Sequence, residues 1–113
     1  MTRNEIIDQI NAALKPLNVR KVILFGSYAK GTQTDESDID LLVVTDDNFV
    51  FDSFSGKMAI KIKIAQALTP LRKIAGIDLI VHTLPMHDQF IKLNSGFKKE
   101  IFNSGSVIYE VDN

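Results

Sequence analysis

A chain of 113 residues, 45% hydrophobic and 24% charged, is sized for one folded domain with a single core, and it is too apolar to be disordered. Its formal net charge of −1 supplies no bulk field to attract nucleic acid or an anionic membrane. With no cysteine it has neither disulfides nor thiolate metal sites, and no apolar run nears the ~20 residues that cross a bilayer. The opening MTRNEIIDQI lacks the basic-then-apolar order of a secretory signal, so the chain is expected in the cytoplasm, as one domain over residues 1–113.

Residues 2 to 17 pattern as an amphipathic helix. Thr2 and Glu5 have capping-box spacing, and Ile6, Ile7, Ile10, Ala13, Leu14 and Leu17 share a face. Pro16 should distort or end it, with Asn18 as the stop. Val22 to Phe25 is a short apolar run of the kind buried on both sheet faces, closed by Gly26. Ser27 to Lys30 fits one helical turn ahead of Gly31, where a positive φ is expected. A polar loop over 32–37 leads to a second strand, Ile39 to Val44, closed by Asp46, Asp47 and Asn48. The phenylalanines of FVFDSFSG (49–56) suit either packing over the core or a lid.

Residues 57 to 69 are in conflict, because Lys61-Ile62-Lys63-Ile64 alternates like a strand. Ile60, Ile64, Ala67, Leu68 and Leu71 instead make a helical stripe, and the helix is preferred, ending near Pro70. A third strand is expected over Ile77 to His82 and a helix over Met86 to Phe102, with a break at Ser95-Gly96. Val107 to Val111 completes the pattern as an edge strand. The order α-β-α-β-α-β-α-β specifies an α/β or α+β domain, a small mixed sheet with helices packed on it.

Chemistry concentrates in residues 22 to 44. Asp38 and Asp40, two apart on a strand, project to one face, where two like charges call for water or a cation. Mg²⁺ typically takes one or two carboxylates plus substrate phosphates. Taken alone, Asp-x-Asp reads as an acidic strand entrance, and Gly26-Ser27 as a tight turn with no ligand. The turn also offers backbone N–H groups and a hydroxyl suited to phosphate oxygens. Asp78, a carboxylate inside the apolar GIDLIVHT, calls for a partner if buried, and beside the other two it makes a third acid. His82 shares Asp78's strand face and reads as structural. His87 falls in a polar loop or helix start, with no second ligand at metal-site spacing. Lys57, Lys61, Lys63, Arg72 and Lys73 read as a solvated face, and Tyr109 as a packing aromatic.

The stretch GSYAKGTQTDESDIDLLV resembles the signature of the DNA polymerase β-like nucleotidyltransferases: Gly-Ser, ten residues, Asp-x-Asp, with the third acid on a later strand where IDLIV places Asp78. Small size and the closing NSGSVIYEV resemble the minimal members, many of them antitoxins paired with HEPN-type toxins. The resemblance implies the polymerase β-like nucleotidyltransferase fold and two Mg²⁺ ions held by Asp38, Asp40 and Asp78. It also implies ATP or another nucleoside triphosphate bound through Gly26, Ser27 and Lys30. Lys30 stands where members often carry arginine, so bidentate phosphate contact is lost there. The implied reaction is transfer of a nucleoside monophosphate to a hydroxyl with release of pyrophosphate. The acceptor is expected on a partner protein such as a HEPN-type toxin. Transfer to a small molecule such as an aminoglycoside usually involves an extra helical domain, and a non-catalytic antitoxin that works by binding alone would not need all three acids. The neutral charge argues against RNA tailing and direct nucleic-acid binding. Apolar segments such as FVFDSF are compatible with assembly with itself or a partner.

Overall fold

Thr2 opens the chain with a reciprocal cap: its hydroxyl accepts from the Glu5 N–H at 3.2 Å, and the Glu5 carboxylate accepts from the Thr2 N–H at 3.4 Å. In the computed structural model, which describes residues 2–50, 53–93 and 95–111, this cap starts helix α1 (Arg3–Leu14). Ile6, Ile10 and Leu14 are buried along one face. Pro16 converts the last turn to a 3₁₀ turn (Lys15–Leu17), and Asn18, at φ +53°, turns the chain out of it. Strand β1 follows at once (Val19–Phe25). It begins three residues earlier than its apolar run because Arg20 and Lys21 find partners in Asp46 (3.0 Å) and Glu110 (3.3 Å).

A short helix α2 (Gly26–Lys30) leads to strand β2 (Ile39–Thr45). Helix α3 (Phe54–Ala67) is capped by Ser53, whose hydroxyl accepts from the Gly56 N–H, and α4 (Thr69–Arg72) carries Pro70 in its first turn. The helical stripe therefore prevails over the Lys-Ile alternation. Ile64, Leu68 and Leu71 are buried, while Ile62 is left half exposed. Strand β3 (Ile77–His82), helices α5 (Leu84–Lys92) and α6 (Gly96–Ser104), and strand β4 (Ser106–Glu110) complete the order. The helical pattern over 86–102 divides at the expected break by Ser95-Gly96, the second helix opened by the Ser95 hydroxyl accepting from the Lys98 N–H at 3.1 Å.

The sheet order is β3-β2-β1-β4. β1 pairs antiparallel with both β2 and β4, whereas β2 and β3 run parallel, so the sheet is mixed and β4 is an edge. β1 and β2 are central, which accounts for their unbroken apolar runs. On one face Val22, Leu24, Ile39, Leu41, Val43, Leu79 and Val81 meet the apolar sides of α1, α3 and α4. On the other Ile23, Phe25 and Leu42 meet Ile101 of α6 and Phe90 of α5. Tyr109 packs partly buried against the first core.

Three readings are decided. Of the three phenylalanines in 49–56, Phe51 lies outside the described residues, and Phe49 and Phe54 are exposed rather than packed on the core. Asp78 takes the exposed alternative, because it points away from the α1–α3–α4 core that takes Leu79 and Val81. His87 is buried inside α5, where its Nδ1 lies 3.3 Å from that of His82. One proton serves that bond, so one ring donates and the other accepts. No helix among the described residues is long and apolar enough to cross a membrane.

Candidate active site

The site is built where β1 leaves the sheet and β2 and β3 enter it. Phe25, the last residue of β1, sits opposite Asp40 of β2, and Asp40 sits opposite Asp78 of β3. Two strand registers thus bring the Gly-Ser turn and the acids to one sheet end. Gly26 has φ +71°, in the region that favours glycine, and a Cβ there would collide with Oδ2 of Asp40. The backbone of the turn therefore lies directly against the Asp40 carboxylate. Ser27 is half-buried beside it, and buried Tyr28 ties α2 to the core. Phe25 has no side-chain acceptor with which to cap α2. Gly31, at φ +74°, ends the helix by donating its N–H to the Ser27 carbonyl.

The ten-residue spacing also has a local cause. The Thr34 N–H donates to the Ser37 hydroxyl at 2.8 Å and the Ser37 N–H donates back to the Thr34 carbonyl at 3.1 Å. This self-closed turn delivers Asp38 to the mouth of β2. Asp38 is exposed there, one residue before the strand, with a carboxylate oxygen against the backbone of Gly76. The Ile39 N–H donates to the Gly76 carbonyl at 2.8 Å, which latches the entrance of β2 to that of β3.

Asp40 is half-buried, and its carboxyl is raised from 3.8 to about 6. Burial is the largest cause, followed by a side-chain hydrogen bond to Asp78 and the charges of Asp78, Asp38 and Glu100. Every one of those charges is negative. A site of this kind is short of positive charge and rich in hard oxygen donors, which is the environment that suits Mg²⁺. Among the described residues no three His, Cys, Asp or Glu side chains are close enough to enclose an ion by themselves. A divalent ion that also takes phosphate oxygens needs only one or two of them.

The structure therefore brings together Gly26, Ser27, Asp38, Asp40 and Asp78. Lys30 is exposed in the last turn of α2 and is not among the charges acting on Asp40. His82 shares the Asp78 face but lies four residues along, roughly 13 Å, and packs against His87 and Phe90. Glu100 is an acid that sequence reasoning passed over. It precedes buried Ile101, and α6 packs on β1 and α2, so its effect on Asp40 depends on docking of a distant helix. Phe97 of the same helix packs edge-on against Phe25 at 5.7 Å, forming an apolar wall next to the acids. A cleft lined by Asn18, Thr45, Asp46, Asp47 and Lys63 lies at the other end of β2, away from all of these groups.

The mixed sheet thus joins a glycine turn to carboxylates at the entrances of two parallel strands. The chain matches the family described as polymerase beta, nucleotidyltransferase, over residues 8–113, and it belongs to that family. It is a nucleotidyltransferase. A putative protein adenylyltransferase of Methanocaldococcus jannaschii is 32% identical over 114 residues, covering 96% of this chain and 100% of the relative. A second putative protein adenylyltransferase of the same organism is 40% identical over 76 residues, 66% of this chain and 67% of the relative. Among solved structures, a toxin–antitoxin with AMP-PNP has a TM-score of 0.58 at 21% identity, covering 93% of this chain and 73% of that chain. A MntA toxin–antitoxin pair with two aspartates changed to glutamate has a TM-score of 0.52 at 18% identity, covering 98% and 75%. These structural likenesses speak for the fold.

Proposed function

We propose that this chain, acting in the cytoplasm as one domain, transfers AMP from ATP to a hydroxyl on a partner protein, and that the partner is a HEPN-type toxin it neutralises. The observation that carries the proposal is the position of Asp40, held between the Gly26 backbone and Asp78 with the negative charges of Asp78, Asp38 and Glu100 acting on it. The relatives named protein adenylyltransferases support a protein acceptor, and the toxin–antitoxin structures that share the fold support the partner class. Exposed Leu93, Phe97 and Phe102, on and beside α6, further suit a macromolecular acceptor over a small one.

In this reading Asp38, Asp40 and Asp78 hold Mg²⁺, which neutralises the phosphates and lowers the pKa of the acceptor hydroxyl. Gly26 and Ser27 bind the β and γ phosphates through backbone N–H groups and the Ser27 hydroxyl, so that the α-phosphorus faces Asp40 and Asp78. Lys30 adds a point charge at the rim of the phosphate turn. The acceptor oxygen forms a bond to the α-phosphorus as the bond to the bridging oxygen of pyrophosphate breaks, and exposed Asp78 takes the hydroxyl proton. The test is incubation with Mg²⁺, α-labelled ATP and, as the candidate toxin, the protein encoded by the neighbouring gene. Label on the toxin, lost with Asp40→Asn, is expected. An unlabelled toxin that is nevertheless neutralised would replace catalysis with simple binding.

A further inference from the structure

Of the two glycines that touch the acids, Gly26 serves the backbone as well as the site, since its φ of +71° disfavours any side chain. Gly76 is different. Its φ lies outside the left-handed region, so an alanine there is free of backbone strain. It is also exposed, so no core packing demands a glycine. What a Cβ at 76 would meet is the Asp38 carboxylate, in collision with Oδ1 and 3.2 Å from Cγ. That obstacle is the end of an exposed, rotatable side chain, and the protein would relieve it by swinging Asp38 away.

We propose that Gly76 is a positioning residue for Asp38, leaving the space in which the carboxylate lies across the entrance of β3. The proposal rests on the assignment of Asp38 as a metal-binding acid. The hydrogen bond from Ile39 to the Gly76 carbonyl fixes this backbone relative to the start of β2. With both sides held, the Asp38 side chain has a floor just before β3 and a root just before β2, and the place of its carboxylate follows. A side chain at 76 removes the floor and leaves the fold intact.

Gly76→Ala tests this, with Gly96→Ala as a control because a Cβ at 96 meets nothing within 4 Å. The metal-free melting temperature of Gly76→Ala should stay within about 2 °C of wild type. Its apparent Mg²⁺ affinity, read from the thermal shift with α,β-methylene-ATP, should weaken by about 10–100-fold, as for residues that orient metal ligands. In an Asp38→Ala background, with no carboxylate to displace, Gly76→Ala should cause no further loss. Wild-type Mg²⁺ affinity in Gly76→Ala would overturn the proposal, as would a large fall in its metal-free melting temperature or an additive loss in the Asp38→Ala background. Failure of the wild-type protein itself to show a Mg²⁺-dependent shift would instead remove the metal-site assignment, and the proposal with it.

Discussion

Replacing Asp40 with asparagine should make the metal-free protein more stable while abolishing its activity. The Asp40 carboxyl is raised from 3.8 to about 6 by burial, its hydrogen bond to Asp78 and the surrounding negative charge. The folded state thus holds the protonated form more tightly than the unfolded chain does. That stabilisation is fully present below pH 3.8 and is lost as pH rises through about 6. At about 1.4 kcal/mol per unit the full loss approaches 3 kcal/mol, and solvent screening of a half-buried group brings it to roughly 1–2 kcal/mol. Asparagine mimics the protonated form at every pH and can still donate to Asp78. At pH 8 in EDTA, Asp40→Asn should therefore melt about 4–8 °C higher than wild type, with most of the difference gone at pH 4. Excess Mg²⁺ with ATP should stabilise wild type and leave the variant unmoved. Equal or lower stability of Asp40→Asn at pH 8, or a gain that ignores pH, would refute the argument from crowded charge.

Ser27→Ala should raise the KM for ATP by about 10-fold with the melting temperature within about 2 °C of wild type, measurable by steady-state label transfer. The His82–His87 pair should act in the opposite pH direction to Asp40. Burial and the His87 charge lower His82 to about 4, and burial lowers His87, so stability present above pH 6.5 is lost as pH falls toward 4. His87→Leu should flatten that acid limb in a series of melts from pH 7 to 4. Leu41→Ala, which empties a fully buried position on β2, should cost about 2–5 kcal/mol by urea unfolding.

The central strands were legible because β1 and β2 are buried on both faces and so carry unbroken apolar runs. The Thr2 cap, the Pro16 distortion and the break at Ser95-Gly96 were equally local, each decided within a few residues. The chain positions of the acids and the glycine turn were also readable, but their convergence depends on strand order, which no local pattern contains. Arg20 and Lys21 disguised the start of β1, since their ion-pair partners lie 26 and 89 residues away. His87 looked solvated because its neighbours Asp88 and Gln89 are polar, yet the helix turns it onto His82. The charge of Glu100 on Asp40, and the Asp38 carboxylate lying against Gly76, arise only in the folded chain.

β3 lies at a margin of the sheet, with the sequence Ile-Asp-Leu-Ile-Val-His and, among the described residues, no strand paired along its outer side. A strand of that composition invites a second copy to add to it, and a charge on such an edge is a natural deterrent. Asp78 is that charge. The carboxylate assigned to metal and proton handling thus also guards the sheet against self-association, which couples solubility to the chemistry. An inactive variant for partner-binding work should therefore be silenced at Asp40, which leaves the edge charge in place. A valine or alanine at 78 would leave an apolar run from Ile77 to Val81 on the edge and confuse lost activity with aggregation.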